Sequence, residues 1–493
     1  MEVILLKRKI AFLLIFTLVF SFNTSMVFAV PNAPLVPYSE GCTTILVGKN
    51  ATRDGSVLLA HNEDMGQNDV GRLWVTPAQE YDEGETVALP YTVIPQVAQT
   101  YKYWASGNWD KSAYEGDILV GLNEKGVAMA CNTAWPGSKE PGIGKTGLKR
   151  YSIRQLILER ATSARHAVDI ITDLIDTYGQ GGDMDLIYCL ADPQEAWIVE
   201  TTANHWVAKR VPDDGFIVVA NQFTIGDDYD LASEDLVEYA TEQGWWKEEE
   251  PGKLNFRKVY GKGLDYNFNK LREDMVKNAL KKKVGNIGPE DLMALLRSHY
   301  EGTEKYEEPV HKNSGWAVAN ENRILCTDAT QSGSVAHLRN DLPVEVGAVL
   351  WFAMSTPCLS GFVPVFAGSD RVIPQYASTH YDFTQFSAWW NFDLIQRIVD
   401  VYGYEEFAPG IKEIWANYEA EKWEEVKELE REVVELFNKG EKDSVQKLLT
   451  QFTLEAQAKA YYTANNILKE LVEKTEIGFD PSSEDWQYLL NLP

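Results

Sequence analysis

A cysteine behind a glycine, Gly41-Cys42, heads a β-branched run in "EGCTTILVGKNATRDGSVLLAHNED", and the polar cluster His61-Asn62-Glu63-Asp64 closes the same stretch. A thiol that is to attack a carbonyl needs a base beside it. Histidine is one source, but none of the seven (61, 166, 205, 299, 311, 337 and 380) shows a metal-binding HExxH spacing. Cys42 also lacks the CGxCW surroundings of a papain-like nucleophile. The other source is the chain's own α-amine, with a pKa of about 7.7–8.0. If the chain is cut between Gly41 and Cys42, one residue carries both nucleophile and base. Glycine before the cut suits this, since it tolerates a strained backbone and leaves its carbonyl open to the thiol. The competing reading makes Cys42 half of a distant disulfide. The five cysteines (42, 131, 189, 326 and 358) are an odd number, which leaves at least one unpaired within the chain. They form no CxxC unit, so the other four are expected as small buried hydrophobes or in one or two bridges. No cofactor or metal is implied.

The elements around Cys42 must bring the polar cluster to it. "CTTILVG" and "SVLLAHN" flank "KNATRDG", whose Asp54-Gly55 pair signals a turn, so the stretch predicts a β-hairpin. A turn centred near Thr52 sets Cys42 opposite Asn62, with room for a slip of a residue or two. Further strands are predicted at 116–135 with "NEKG" as the turn, at 185–202 with "DPQE" as the turn, and at 215–223. "SIRQLILERATSARHAVDIITDLIDTYG" predicts two helices, with Ser163 as N-cap and Gly179 as C-cap. Helix is predicted over most of 258–298, then strands again from 315 to about 368. Hairpins, then helices, then strands imply an α+β layered fold rather than βαβ units. The tail, 404–437 and 444–472, is amphipathic with "NKGEKD" between and predicts a helical hairpin on the main domain. A coiled-coil contact that makes a homo-oligomer is the alternative. The aromatic clusters at Trp389-Trp390 and Trp104–Trp109 are read as core.

Lys7, Arg8 and Lys9, the apolar "IAFLLIFTLVF" and "VFA" ending at Ala29 have the pattern of a signal peptide. The residues divide into a signal peptide (1–29), a propeptide (30–41), a catalytic domain (42–403) and a helical extension (404–493). The expected location is secreted or cell-envelope, with no stable membrane insertion once the signal is removed. Of the 493 residues 45 % are hydrophobic, enough for a large core, and the formal net charge of −27 excludes a nucleic-acid partner.

The opening motif resembles the start of the secreted PepD-like dipeptidases, N-terminal-nucleophile (Ntn) cysteine hydrolases related to choloylglycine hydrolases and penicillin V acylases. The resemblance continues in "GLNEKGVAMACNT", "LADPQEAWIVET", "VVANQFTI" and "SVAHLRNDLP…WFAMSTPCLSGFVPVFAG", over about residues 42–400. It implies a four-layer αββα sandwich and a dipeptidase acting on small peptides through a thioester on an autoproteolytically exposed Cys42. It places Asp64 where a carboxylate orients the terminal amine, and Asn132 and Asn221 where amides hold the oxyanion. It assigns the substrate-binding positions to His61, where relatives commonly carry arginine, and to Arg272 in "FNKLRED" for a late arginine near the nucleophile. Two other readings stand beside it. One is an acylase of the bile-salt or penicillin V kind, and the other an inactive binding protein on the same scaffold.

Overall fold

The computed structural model describes residues 41–65, 70–109, 117–182, 184–247, 252–263, 267–311 and 323–492. The predicted signal peptide and all of the propeptide except Gly41 lie outside them. Among the described residues, no helix is long and apolar enough to cross a membrane.

Two antiparallel sheets make the centre. The first has six strands: β1 (Thr43–Val47), β2 (Val57–Asp64), β10 (Phe216–Val219), β12 (Thr330–Leu338), β13 (Ala348–Met354) and β14 (Val363–Phe366), in the order β10-β1-β2-β12-β13-β14. The second has eight, in the order β11-β9-β8-β7-β6-β5-β4-β3. Its members are β3 (Val70–Thr76), β4 (Tyr103–Trp109), β5 (Asp117–Asn123), β6 (Ala128–Ala134), β7 (Asp185–Ala191), β8 (Ala196–Thr201), β9 (Trp206–Arg210) and β11 (Leu231–Ala232).

Leu46 and Leu59 of the first sheet meet Ala130, Ile187 and Cys189 of the second in one core. The opposite face of the first sheet, with Ile45 and Ala60, packs on α3 (Asn267–Leu280) and α4 (Pro289–Leu296) through Val276, Leu292 and Met293. The outer face of the second, with Met129 and Leu190, packs on α1 (Arg150–Arg160) and α2 (Ala164–Tyr178) through Ile157 and Val168. This is an α+β fold with the four αββα layers that the resemblance implied. Strands covered on both faces need apolar residues at successive positions, which is why β1, β2 and β6 are buried throughout.

Local chemistry sets the joints. The Asn123 side chain accepts N–H bonds from Lys125 and Val127 at 3.0 Å and so turns "NEKG". Asp192 does the same for Gln194 and Glu195 in "DPQE". Ser163 caps α2 through the His166 N–H, and Gly179 ends it at φ +75°.

Strands β3, β4 and β9 and helix α5 (Ala388–Tyr402) have no counterpart in the sequence reading. Glycine masks the first two. A Cβ on Gly71 would meet the Trp389 ring at 2.7 Å, and one on Gly107 would meet the Asp117 carbonyl at the β4–β5 bulge. Helices α6 (Tyr404–Asn438) and α7 (Lys442–Lys474) form the predicted hairpin and bury Trp415, Val433, Ala456 and Ala464 against the rest. Trp104 and Trp389 are core residues.

Candidate active site

The β1–β2 register pairs Thr43 with Asn62 and Thr44 with His61. This is one residue away from the expected pairing, so Glu63, not Asn62, stands across from Cys42. Side chains alternate along a strand, so the shift decides which groups share a face. Cys42, Thr44, His61 and Glu63 face the second sheet, while Thr43, Asn62 and Asp64 face the helices. Asn62 is then a structural residue, donating to the Leu296 and Leu325 carbonyls at 2.8 and 2.9 Å.

On the inner face the Cys42 thiol, 1 % exposed, donates to Glu63 Oε1 at 3.3 Å. Glu63 Oε2 lies 2.9 Å from His61 Nε2, and His61 Nδ1 lies 2.8 Å from Thr44 Oγ1. Thr44 Oγ1 donates to Asn132 Oδ1 at 2.5 Å, and the Asn132 amide donates to the Val219 and Ala220 carbonyls.

Counting protons along this chain fixes its direction. The two carbonyls orient Asn132, so its oxygen must receive the single Thr44 hydroxyl proton. His61 Nδ1 must therefore donate to Thr44, which leaves Nε2 as an acceptor facing Glu63. Burial drops the His61 pKa to about 3, with the Asp64 charge opposing and the Arg154 charge adding to the shift. The imidazole is thus neutral. No positive charge at residue 61 faces the thiol. The geometry instead places the Glu63 carboxyl between sulfur and imidazole.

On the outer face, α3 presents Asn269 and Arg272, three residues apart and so on one side of the helix. Arg272 Nη1 donates to the Cys42 carbonyl at 2.7 Å and to Thr43 Oγ1 at 3.0 Å. Its Nη2 donates to Asn221 Oδ1 at 2.8 Å and Asn269 Oδ1 at 2.6 Å, and the Asn221 amide donates to the Thr133 carbonyl. Burial and the nearby Arg323 charge lower the Arg272 pKa to about 9, which leaves it charged at neutrality.

Arg323 was not foreseen. Its Nη2 lies 2.7 Å from Asp64 Oδ2 and 2.9 Å from the Gly41 carbonyl oxygen. Thr330 Oγ1 donates to the other Asp64 oxygen at 2.6 Å, and the Gly41 N–H donates to the Asp64 carbonyl at 2.8 Å. The glycine at 41 also has a reason other than the one expected. Its φ lies outside the left-handed region, but a Cβ there would overlap the Arg323 guanidinium at 2.2 Å. Nothing in the local sequence marked Arg323, because only the fold carries residue 323 to residue 41.

Of the predicted site residues, Arg272 and the Asp64 carbonyl touch the Gly41–Cys42 pair directly. His61 connects to Cys42 through Glu63, Asn132 connects to His61 through Thr44, and Asn221 connects to Cys42 through Arg272. All five cysteines are buried and none is disulfide-bonded, so Cys42 is not half of a bridge.

Residues 41–417 match the model of peptidase family C69. A "Probable dipeptidase" of Latilactobacillus sakei is 28 % identical over 397 residues, covering 73 % of this chain and 81 % of its own. One of Salmonella dublin is 28 % identical over 369 residues, covering 68 % and 82 %. Among solved structures, a mutant of the conjugated bile acid hydrolase from Clostridium perfringens is 14 % identical at a TM-score of 0.35, covering 66 % of this chain and 92 % of its own. The family match spans three quarters of the chain and opens at Gly41, the residue before the buried thiol. This chain belongs to peptidase family C69.

Proposed function

We propose that the protein is an exported cysteine dipeptidase whose nucleophile, Cys42, becomes the first residue of the mature chain. The observation that carries this is the setting of the Gly41–Cys42 link. Arg323 holds the carbonyl before the bond, Arg272 holds the carbonyl after it, and the thiol belongs to the very next residue. Sγ attacks the Gly41 carbonyl carbon, and the oxygen takes negative charge 2.9 Å from the Arg323 guanidinium. The C–N bond breaks, the Cys42 nitrogen leaves as an amine after gaining a proton, and Gly41 remains as a thioester. Water hydrolyses the thioester, which frees the leader and restores the thiol.

Turnover repeats these steps with a substrate carbonyl. The new α-amine takes the thiol proton and returns it to the departing amino acid. Asp64 orients the amine. Asn221, its amide plane fixed by Arg272, holds the oxyanion. Asn132, both of whose N–H bonds go to β10 and the residue after it, acts as a positioning residue through Thr44. The family match and the two relatives named as probable dipeptidases support the substrate class. A cleft of about 340 Å³ opens one residue past Asn221, between Trp135, Gln222 and Thr224, with Arg257, Lys258 and Lys262 among its lining. Its cations suit the free carboxylate of a dipeptide.

Intact mass of the secreted protein tests the nucleophile. A chain beginning at Cys42 is expected, and one that is active while beginning at Val30 contradicts the mechanism. Cys42→Ala should abolish both leader removal and dipeptide turnover. Cleavage of N-acyl amides in preference to free dipeptides would move the substrate class to the acylases, and a correctly processed chain that cleaves neither would be a binding protein.

A further inference from the structure

Far along the chain from the nucleophile, four side chains with no common sequence motif converge. His299, His311, Cys326 and Cys358 are all buried, at 1, 3, 0 and 2 % exposure. One ring nitrogen or sulfur of each lies within 4.8 Å of all the others. His299 Nε2 and His311 Nε2 are 3.2 Å apart, and Cys358 Sγ is 3.7 Å from His311 Nε2. The outer nitrogens are held by carboxylates. His299 Nδ1 lies 3.0 Å from Glu301 Oε1, and His311 Nδ1 lies 2.9 Å from both Asp400 oxygens.

Each carboxylate calls for an N–H at Nδ1, which turns the lone pair of each Nε2 inward. Two lone pairs facing each other at 3.2 Å repel unless a proton or a metal ion lies between them. A tetrahedral ion with metal–nitrogen bonds of about 2.0–2.1 Å and metal–sulfur bonds of about 2.3 Å spaces two nitrogens by about 3.3 Å and nitrogen from sulfur by about 3.6 Å. The two observed spacings fall beside these values. Two sulfurs and two imidazoles suit zinc and are poor ligands for magnesium or calcium. The paired carboxylates are the outer partners that metal-bound histidines require. Tyr404 closes the site, its ring 5.7 Å from His299 and 5.5 Å from His311.

We propose that His299, His311, Cys326 and Cys358 bind one zinc ion in a closed, structural site. On binding, both thiols lose their protons to solvent and all four positions of the tetrahedron are filled, so no place is left for substrate or water. The ligands come from the residues after α4, the segment that carries Arg323, and the turn after β13, with Asp400 reaching in from α5. Cys326 stands three residues beyond Arg323, and its N–H donates to the Ser298 carbonyl at 3.2 Å. The ion therefore staples the segment that presents Arg323 to Asp64 and Gly41.

The test uses the full-length protein, loaded with zinc under reducing conditions, freed of excess by gel filtration and measured by elemental mass spectrometry. One zinc per chain is expected, with its loss in Cys358→Ser. Asp400→Asn, which removes no ligand, should weaken zinc binding by roughly 10–100-fold. If Cys358→Ser does not fold, cobalt added to the wild-type chain gives the same readout, as strong visible absorption with sulfur-to-metal charge transfer. A wild-type chain that holds neither zinc nor cobalt overturns the proposal, and so does a Cys326–Cys358 disulfide in the folded protein. Zinc that is lost in Cys42→Ala but retained in Cys358→Ser also overturns it, since the ion would then sit at the thiol, imidazole and carboxyl of Cys42, His61 and Glu63.

Discussion

The Gly41 carbonyl belongs to the residue before the thiol and accepts from a guanidinium 282 positions further along the chain, and on the proposed mechanism this contact separates two events that share one nucleophile. Under the proposed maturation, Arg323 touches a carbonyl that leaves with the leader. It is thus placed to assist maturation, while Arg272 and Asn221 remain beside Cys42 afterwards. Arg323→Lys keeps a cation for the buried Asp64 but loses the reach of the fork. Leader removal should slow by about 10²–10³, the usual cost of removing one oxyanion donor. Time courses by mass spectrometry would show this. A chain made to begin at Cys42 bypasses maturation, and the same substitution there should lower dipeptide turnover far less. Equal losses in both would mean that Arg323 acts only through Asp64.

At the scale of elements, the β8 strand end carries Glu200, fully buried and accepting bonds from the Thr224 N–H at 2.5 Å, the Thr224 hydroxyl at 2.8 Å and the Ile225 N–H at 3.2 Å. Burial raises its pKa from 4.5 to about 7, more than these bonds and the Arg257 charge lower it. The folded state therefore keeps a proton that the unfolded chain releases above pH 4.5. That contribution to stability is whole below about pH 4.5 and is lost as pH rises through about 7. Glu200→Gln removes the titration. Its stability relative to wild type should rise by about 1.4 kcal/mol per pH unit across this window. Denaturant unfolding at pH 5 and pH 7 reads the difference, and a constant offset between the two proteins would refute the shift. The hairpin β1–β2 makes a different point. Its turn residues and β-branched runs specify a hairpin, but the register that puts Glu63 beside the thiol is set by β10 and β12 on either side, where Val219 pairs with Thr44 and Ser332 with Glu63.

For the molecule as a whole, the terminal helices belong to the same core as the sheets. Trp415 of α6 is 2 % exposed, donates to the Leu359 carbonyl at 2.8 Å and packs on Gly361, where any Cβ would strike its ring. Glu419 pairs with Arg297 and accepts the Phe362 N–H at 2.8 Å. These contacts hold the turn after β13, which carries Cys358. Trp415→Ala should cost about 3–5 kcal/mol, the range for emptying a buried aromatic site. A measured loss below about 1 kcal/mol would show that the helices are dispensable to the core.

What the sequence determined by itself was local. A thiol behind a glycine, turn residues between apolar runs, and caps at Ser163 and Gly179 are read within a few residues of where they act, because turn and cap energies depend on neighbours in the chain. The opening motif with its echoes further along likewise carried the family and, with it, the four layers. The tertiary structure alone decided which groups meet. Glu63 reaches the sulfur through a one-residue register, Arg323 reaches Gly41 across 282 positions, and four metal-binding side chains come from three separate segments. Such encounters depend on how sheets and helices pack, and packing obeys volume and burial over the whole chain, not spacing along it.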